Sequence, residues 1–347
     1  MRDYKKNNHQ IYCWCCDLHS NTGEGRLAFL FLDYLSKVVK KIEIGGYKTN
    51  FSIGKKIHKK NYITTNKINF NLFRKYLLPF LGISMLWINY FKNKNIFYVN
   101  YLPLWNIFIF LLAPPKTNFG PITGSIYSGK VYNLNTFIRR HIFYILYKIS
   151  HLLLLIRKKK ILFSTKNLYN LSENIKNKNN IFNFQFLYLH NKKVVKIKKN
   201  IDFLIYYRIH NNKNYDFLKE ILVYNNFKKN YCIGNTFLFK GVNNLGIISH
   251  FKTQNLLSKS KFTFVTSENL NSFYCMDSIL NSVNIFFDNN SSDINKKFFL
   301  DYVKFNKVKL SKTAYKKNFF YKVKKIEKKK LNILHKSTII FFKNYFY

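Results

Sequence analysis

The chain has 347 residues, room for two domains of ordinary size, and 47% of them are hydrophobic, which excludes a disordered chain. Its 59 Lys and Arg against 15 Asp and Glu give a formal net charge of +44, a balance that points first to nucleic acid or an anionic membrane. Only seven of the 59 are Arg, and the Lys excess travels with Asn, Ile, Phe and Tyr, all residues of A/T-rich codons, so that specific nucleic-acid recognition is set aside and a general attraction to anionic lipid is kept.

Residues 1–10 are too polar for a signal peptide. The apolar run 11–16 reads as a buried strand. Its three cysteines, with Cys232 and Cys275, offer no second pair for a zinc site and read as small buried hydrophobes in a reducing compartment. A Gly-containing loop over 17–25 and a helical run over 26–39 open a βαβ unit. Weak strands at 40–69, a helix at 70–91, a strand at 96–101 and a helix at 102–113 follow, the last stopped by Pro114 and Pro115. The loop 116–125 carries two Gly and one Pro, a composition that sets an unusual backbone. A long helix at 134–157 ends in a basic run, and a short strand at 161–164 comes next. The apolar windows 76–91, 98–113 and 141–156 fall short of the ~18 unbroken apolar residues of a membrane span. Pro79, Gly82, Pro103, Lys148 and His151 interrupt them, so they read as core elements or membrane-surface patches.

Residues 165–200 are rich in Asn and Lys, with an irregular strand at 184–189, and approach a domain junction. The pattern then restarts with strands at 201–207, 231–233 and 246–249 and helices at 216–224 and 254–260. A strand at 262–265, a polar loop, a short helix and a strand at 283–287 complete it. Two successive sets of alternating strands and helices predict an α/β protein with two Rossmann-like domains facing a cleft. The expected division is 1–195, 196–310 and a basic, helix-prone tail at 311–347.

In open α/β sheets ligands bind at the carboxyl ends of the strands. There, Thr22-Gly-Glu-Gly25 could cap the first helix and present Glu24, with His19 in the same loop placed for acid–base work. Strand 201–207 runs into Arg208 and Lys213, two cations suited to clamp a diphosphate. Glu268 could accept hydroxyls, and the amides of Asn269 to Ser272 open a helix N-terminus toward a phosphate. Asp277 lies in the second turn of that helix.

These segments resemble bacterial GT-B-type glycosyltransferases of surface polysaccharide assembly over residues 11–290. The resemblance is carried by Thr22-Gly-Glu-Gly25, by Asn100-Tyr-Leu-Pro-Leu-Trp-Asn106, by the proline-glycine segment 112–124, by Tyr206 to Lys213, and by Ser267-Glu-Asn through Asp277. It implies a nucleotide-sugar donor bound mainly by the second domain and a lipid-linked or glycan acceptor bound mainly by the first. Arg208 and Lys213 would hold the donor diphosphate, with Asn269 beside them. Glu268 would be the first carboxylate of the family's Glu-x7-Glu motif, near the sugar, and Asp277 the second, at the ribose. Here Asp replaces Glu, and the spacing is nine residues where the motif expects eight. Gly23, Gly25, Gly120, Thr123 and Gly124 fall on acceptor-side loops, and Glu24 joins Glu268 as a catalytic candidate. No metal and no cofactor beyond the donor are implied, and the expected location is cytoplasmic, peripheral to the inner face of the plasma membrane. The competing expectation is a basic RNA- or ribosome-associated binding protein, whose charge would form one continuous face with exposed aromatics.

Overall fold

A computed structural model describes residues 11–19, 21–39, 42–46, 57–62, 71–124, 134–157, 161–165, 180–190, 197–209, 215–225, 227–266, 271–287, 301–308 and 320–346. The chain forms two compact units, Met1–Gln185 with Lys336–Tyr347, and Phe186–His335.

The first unit is built on a five-stranded parallel sheet, β3-β2-β1-β4-β5. Its strands are β1 (Ile11–Cys15), β2 (Ile42–Gly46), β3 (Ile57–Tyr62), β4 (Asn95–Tyr98) and β5 (Asn118–Phe119). Every residue of β1 is buried, as a continuous apolar run in the middle of a parallel sheet must be. In register, Ile11 lies opposite Ile42 on one side and Asn95 on the other. The connecting helices are α1 (Gly23–Ser36), α2 (Asn71–Phe91) and α3 (Ile107–Leu112). Thr22 caps α1 by accepting from the Gly25 N–H, which satisfies one of the amides a helix start leaves unpaired. Beyond the sheet, α4 (Leu134–Phe137), a π-helical turn (Ile138–Ile142) and α5 (Phe143–Ile156) run on without a break. One core joins Trp14, Tyr98, Leu86, Phe110, Tyr147 and Phe163.

The second unit repeats the plan. Its seven-stranded sheet has the order β11-β12-β10-β9-β6-β7-β8. The parallel part comprises β6 (Ile201–Tyr207), β7 (Asn230–Gly234), β8 (Val242–Asn244), β9 (Ser260–Val265) and β10 (Asn284–Phe287). Helices α6 (Asp216–Asn225), α7 (His250–Lys259) and α8 (Phe273–Leu280) connect them. All eight residues of α8 are buried, which makes it a core helix rather than a solvated one. Phe203, Ile205, Leu218, Phe264 and Phe286 form the centre of this unit's core.

The α/β class and the two Rossmann-type sheets agree with the sequence, while three elements differ from it. The apolar run expected as a strand at 184–189 is a 3-10 helix, Phe184–Leu189, since a short apolar run does not distinguish strand from helix. The strand expected at 246–249 is instead Val242–Asn244, a partly exposed edge strand whose polar residues gave no apolar signal. The segment read as a tail supplies β12 (Phe320–Ile326), antiparallel to β10 and to β11 (Val303–Val308), and then α9 (Lys328–Phe346). Phe342 near the end of α9 packs edge-on against Phe31 of α1, ring centroids 5.2 Å apart. All five cysteines are buried free thiols, as expected. Burial pushes the Cys16 thiol up to about 12, so it is no nucleophile at neutral pH.

Candidate functional site

At the carboxyl edge of the first sheet, the loop after β1 and the start of α1 meet the loops after β4 and β5. Asp17 follows β1 and organises the first of these. Its Oδ1 accepts the His19 N–H at 2.8 Å, while Oδ2 accepts the Thr22 hydroxyl at 2.5 Å and the Tyr101 hydroxyl at 3.4 Å. Asn100, wholly buried, donates its amide to the Asp17 and Glu24 carbonyls and accepts from the Asp17 N–H. Gly25 permits this close fit. A Cβ there would lie 2.3 Å from the His19 carbonyl oxygen, so the first turn of α1 can press on the loop only without a side chain.

Glu24 stands in the first turn of α1, half-buried. Its Oε2 accepts the Tyr101 N–H at 3.1 Å, and the Thr123 side chain also hydrogen-bonds to it. Tyr101 has φ +57°, a left-handed conformation costly for an aromatic residue, and this turns its amide toward the carboxylate. Burial raises the Glu24 pKa above the usual carboxylate value. The two hydrogen bonds oppose that shift, and the Asp17 charge reinforces it. The result is a carboxyl group with raised proton affinity and partial access to solvent.

The glycine-rich loop after β5 supports the same edge. The Gly120 N–H donates to the Tyr98 carbonyl at 2.7 Å, and a Cβ on Gly120 would fall 2.1 Å from the Val99 carbonyl oxygen. Thr123 continues the parallel pairing through its N–H to the Leu102 carbonyl, and Gly124 turns away with φ +119°. Gly23 has nothing within 4 Å of a Cβ position and faces open space. Glu24, Gly25, Gly120 and Thr123 are thus brought together. His19 contributes its backbone to the Asp17 turn. Asn100 and Tyr101 entered the sequence reading only as the start of the segment 100–106, with no role, and Asp17 was not singled out, although a carboxylate directly after an all-apolar strand was a usable signal.

At the carboxyl edge of the second sheet the links among the described residues start from main-chain N–H groups. The Gly234 N–H donates to the Gly246 carbonyl, the Asn235 N–H to the Tyr207 carbonyl, and the Ile209 N–H to Asn235 Oδ1 at 2.9 Å. Arg208 leaves β6 with its N–H on the Tyr215 hydroxyl at 3.2 Å and its side chain exposed. Ser249 and Ser272 cap α7 and α8, the first by accepting from the Lys252 N–H and the second from the Cys275 N–H. The buried Thr266 hydroxyl, at the end of β9, has no partner among the described residues. Lys213, Glu268 and Asn269 lie outside the described residues. Exposed cation and capped helix starts on one edge suit an anion.

Asp277, expected at a ribose, is 1% exposed and sits inside the second unit. Its Oδ1 accepts the Tyr188 hydroxyl at 2.7 Å, and its Oδ2 is 3.2 Å from His250 Nε2 at the first turn of α7. Both oxygens are engaged by protein groups, so the carboxylate ties α8 to α7 and to the 3-10 turn.

Fold and edges define a two-unit α/β protein with Rossmann-type sheets. No family model matches the sequence, and no curated protein matches it. Among solved structures the chain is similar to WaaG, a glycosyltransferase involved in lipopolysaccharide biosynthesis. That likeness has 8% identity over 96% of this chain and 92% of the other, with a TM-score of 0.49. It is also similar to a protein of Listeria monocytogenes assigned as a UDP-N-acetylglucosamine 2-epimerase, at 8% identity over 84% and 82% and a TM-score of 0.49. A third is an alpha-glucosyltransferase solved with UDP-glucose and abasic DNA, at 9% identity over 97% and 93% and a TM-score of 0.46. At such identities the chemistry has to be read from the site.

Proposed function

We propose that the chain is a glycosyltransferase that moves a sugar from a nucleotide-sugar donor to a lipid-linked or glycan acceptor. The observation that carries this reading is Glu24. A half-buried carboxyl with raised proton affinity, fixed by the Tyr101 amide and Thr123 at a helix start, is placed to take a proton from a hydroxyl. The second unit takes the donor: Arg208 and Lys213 meet the diphosphate, Asn269 and the start of α8 meet phosphate oxygens, and Glu268 accepts hydroxyls of the donor sugar. The first unit takes the acceptor beside the loops of Gly23, Gly25, Gly120, Thr123 and Gly124.

In the reaction the acceptor oxygen bonds to the anomeric carbon as the bond from that carbon to the diphosphate oxygen breaks. The hydroxyl proton passes to Glu24. The nucleoside diphosphate leaves with the bonding electron pair, its charge offset by Arg208 and Lys213. Asp277 acts at one remove by fixing His250 and Tyr188.

The test is a thermal-shift screen of nucleoside diphosphates and nucleotide sugars, since a ligand that binds only the native state raises the melting point. At least one nucleotide sugar is expected to shift the transition. A flat response to all of them, with single-stranded RNA raising the melting point instead, would replace the transferase with the binding-protein reading.

A further inference from the structure

The helices of the first unit present an apolar surface that the sheet-edge chemistry does not use. On the π turn and α5, Ile142, Ile145, Ile149, Leu152 and Ile156 recur at alternating intervals of three and four residues, and all are exposed, Ile145 by 58% and Ile156 by 67%. The side of α5 that faces the core carries Tyr147, Ser150, His151 and Leu154. A surface helix in water normally shows the opposite pattern, with its apolar stripe inward.

The surface continues beyond α5. The Arg157 guanidinium donates to the carbonyls of Leu111, Ala113 and Pro114, and Trp87 Nε1 donates to the Leu112 carbonyl at 3.0 Å. These bonds gather the carboxyl ends of α2, α3 and α5, where Phe91, Leu111 and Leu112 are exposed as well. Contiguous apolar patches beyond a few hundred Å² are rare on the free surface of soluble proteins.

Charge identifies what covers the patch. Between Glu43 and Glu173 the sequence holds 20 Lys and Arg and no Asp or Glu. Arg139 and Arg140 precede α5, Lys158 to Lys160 follow it in sequence, and the Lys148 ammonium lies 4.7 Å from the Tyr144 ring on its outer side. A second copy of the chain would set cations against cations. Among the described residues no helix is long and apolar enough to cross a membrane, so a bilayer would be met from its surface.

We propose that the outer face of α2, α3 and α5 docks on an anionic lipid bilayer, with the isoleucine stripe entering the headgroup boundary and the flanking cations meeting the lipid charge. The docking surface stands on these helices alone, whichever reaction the sheet edges run.

Flotation of the nuclease-treated full chain with vesicles tests it. The protein is expected to float with phosphatidylcholine vesicles containing about one third phosphatidylglycerol and to stay behind with phosphatidylcholine alone, each basic residue at the surface contributing about fivefold. The triple variant Ile145→Glu/Ile149→Glu/Leu152→Glu changes exposed positions only and should melt like the parent. Its partition should drop by at least about tenfold. Because the five native cysteines are buried, a polarity-sensitive dye can be attached at Ile145→Cys. Its emission should shift to the blue with anionic vesicles, while the same dye at Val223→Cys, 64% exposed on α6, should not respond. No flotation, equal flotation of the triple variant, or a dye shift that follows protein concentration without vesicles would each overturn the proposal. The last would assign the face to a second copy of the chain.

Discussion

At the edge of the first sheet, Asp17, Thr22, Asn100 and Tyr101 hold one another and Glu24 through side chains drawn from distant parts of the chain. At the corresponding edge of the second sheet the links among the described residues start from backbone N–H groups, and Arg208 stands exposed. One strand plan therefore carries two kinds of edge. Burial raises the proton affinity of one carboxyl against the hydrogen bonds that hold it, whereas the second edge exposes the Arg208 side chain beside helix starts. The division matches the proposed reaction, in which one side moves a proton and the other holds a diphosphate.

The largest effect should come from Glu24→Gln, which removes the proton acceptor and keeps its shape. Turnover is expected to fall by about two to four orders of magnitude, with donor binding retained. Because Glu24 must be ionised to act and burial raises its pKa, the acidic limb of kcat/KM should lie above the ordinary carboxylate range and vanish in the variant. A raised carboxyl pKa means that folding favours the protonated form. That contribution is present at low pH and is lost as pH rises through the folded pKa, so Glu24→Gln should melt higher than the parent at neutral pH.

Acid should separate the two units next. His151 lies in the core of the first, both ring nitrogens lacking partners among the described residues, and burial lowers its pKa to about 4. Its neutral form stabilises the fold above about pH 6.5, and that stability drains away as pH falls toward 4. The loss is about 3 kcal/mol. Trp14, Trp87 and Trp105, the only tryptophans, all lie in the first unit, so their fluorescence should report an acid transition that His151→Leu displaces to lower pH.

Arg208→Ala tests the open edge. Removing a charge-assisted contact should weaken nucleoside diphosphate binding by about 10- to 100-fold, without moving the pH profile of the residual turnover. Smaller losses, of about 1–3 kcal/mol in unfolding free energy, should follow from Gly25→Ala and Gly234→Ala. The first drives a Cβ into the His19 backbone. The second places one 2.2 Å from the Tyr207 carbonyl oxygen at φ +99°.

Much of this division was legible along the chain. Strand β1 announced itself as an unbroken apolar run, and Thr22-Gly-Glu-Gly25 marked the start of α1 and the place of Glu24 in its first turn. Strand β12 was concealed because its lysines read as part of a basic tail, although Phe320, Tyr321, Val323 and Ile326 are strand-forming types. The web around Glu24 was not legible. Asp17 and Asn100 are 83 residues apart, and only the parallel pairing of β1 with β4 brings their loops together. Asp277 misled for a related reason: its partners Tyr188 and His250 come from elements whose placement no local pattern reveals.

The most direct test crosses the two edges. Donor affinity and turnover of the same nucleotide sugar would be measured on the parent, Glu24→Gln and Arg208→Ala, with calorimetry for binding and nucleoside diphosphate release for turnover. The account predicts that Glu24→Gln binds the donor as the parent does and scarcely turns it over, while Arg208→Ala loses affinity and keeps the parent's pH profile. Parent-like turnover in Glu24→Gln, or parent-like donor affinity in Arg208→Ala, would contradict it.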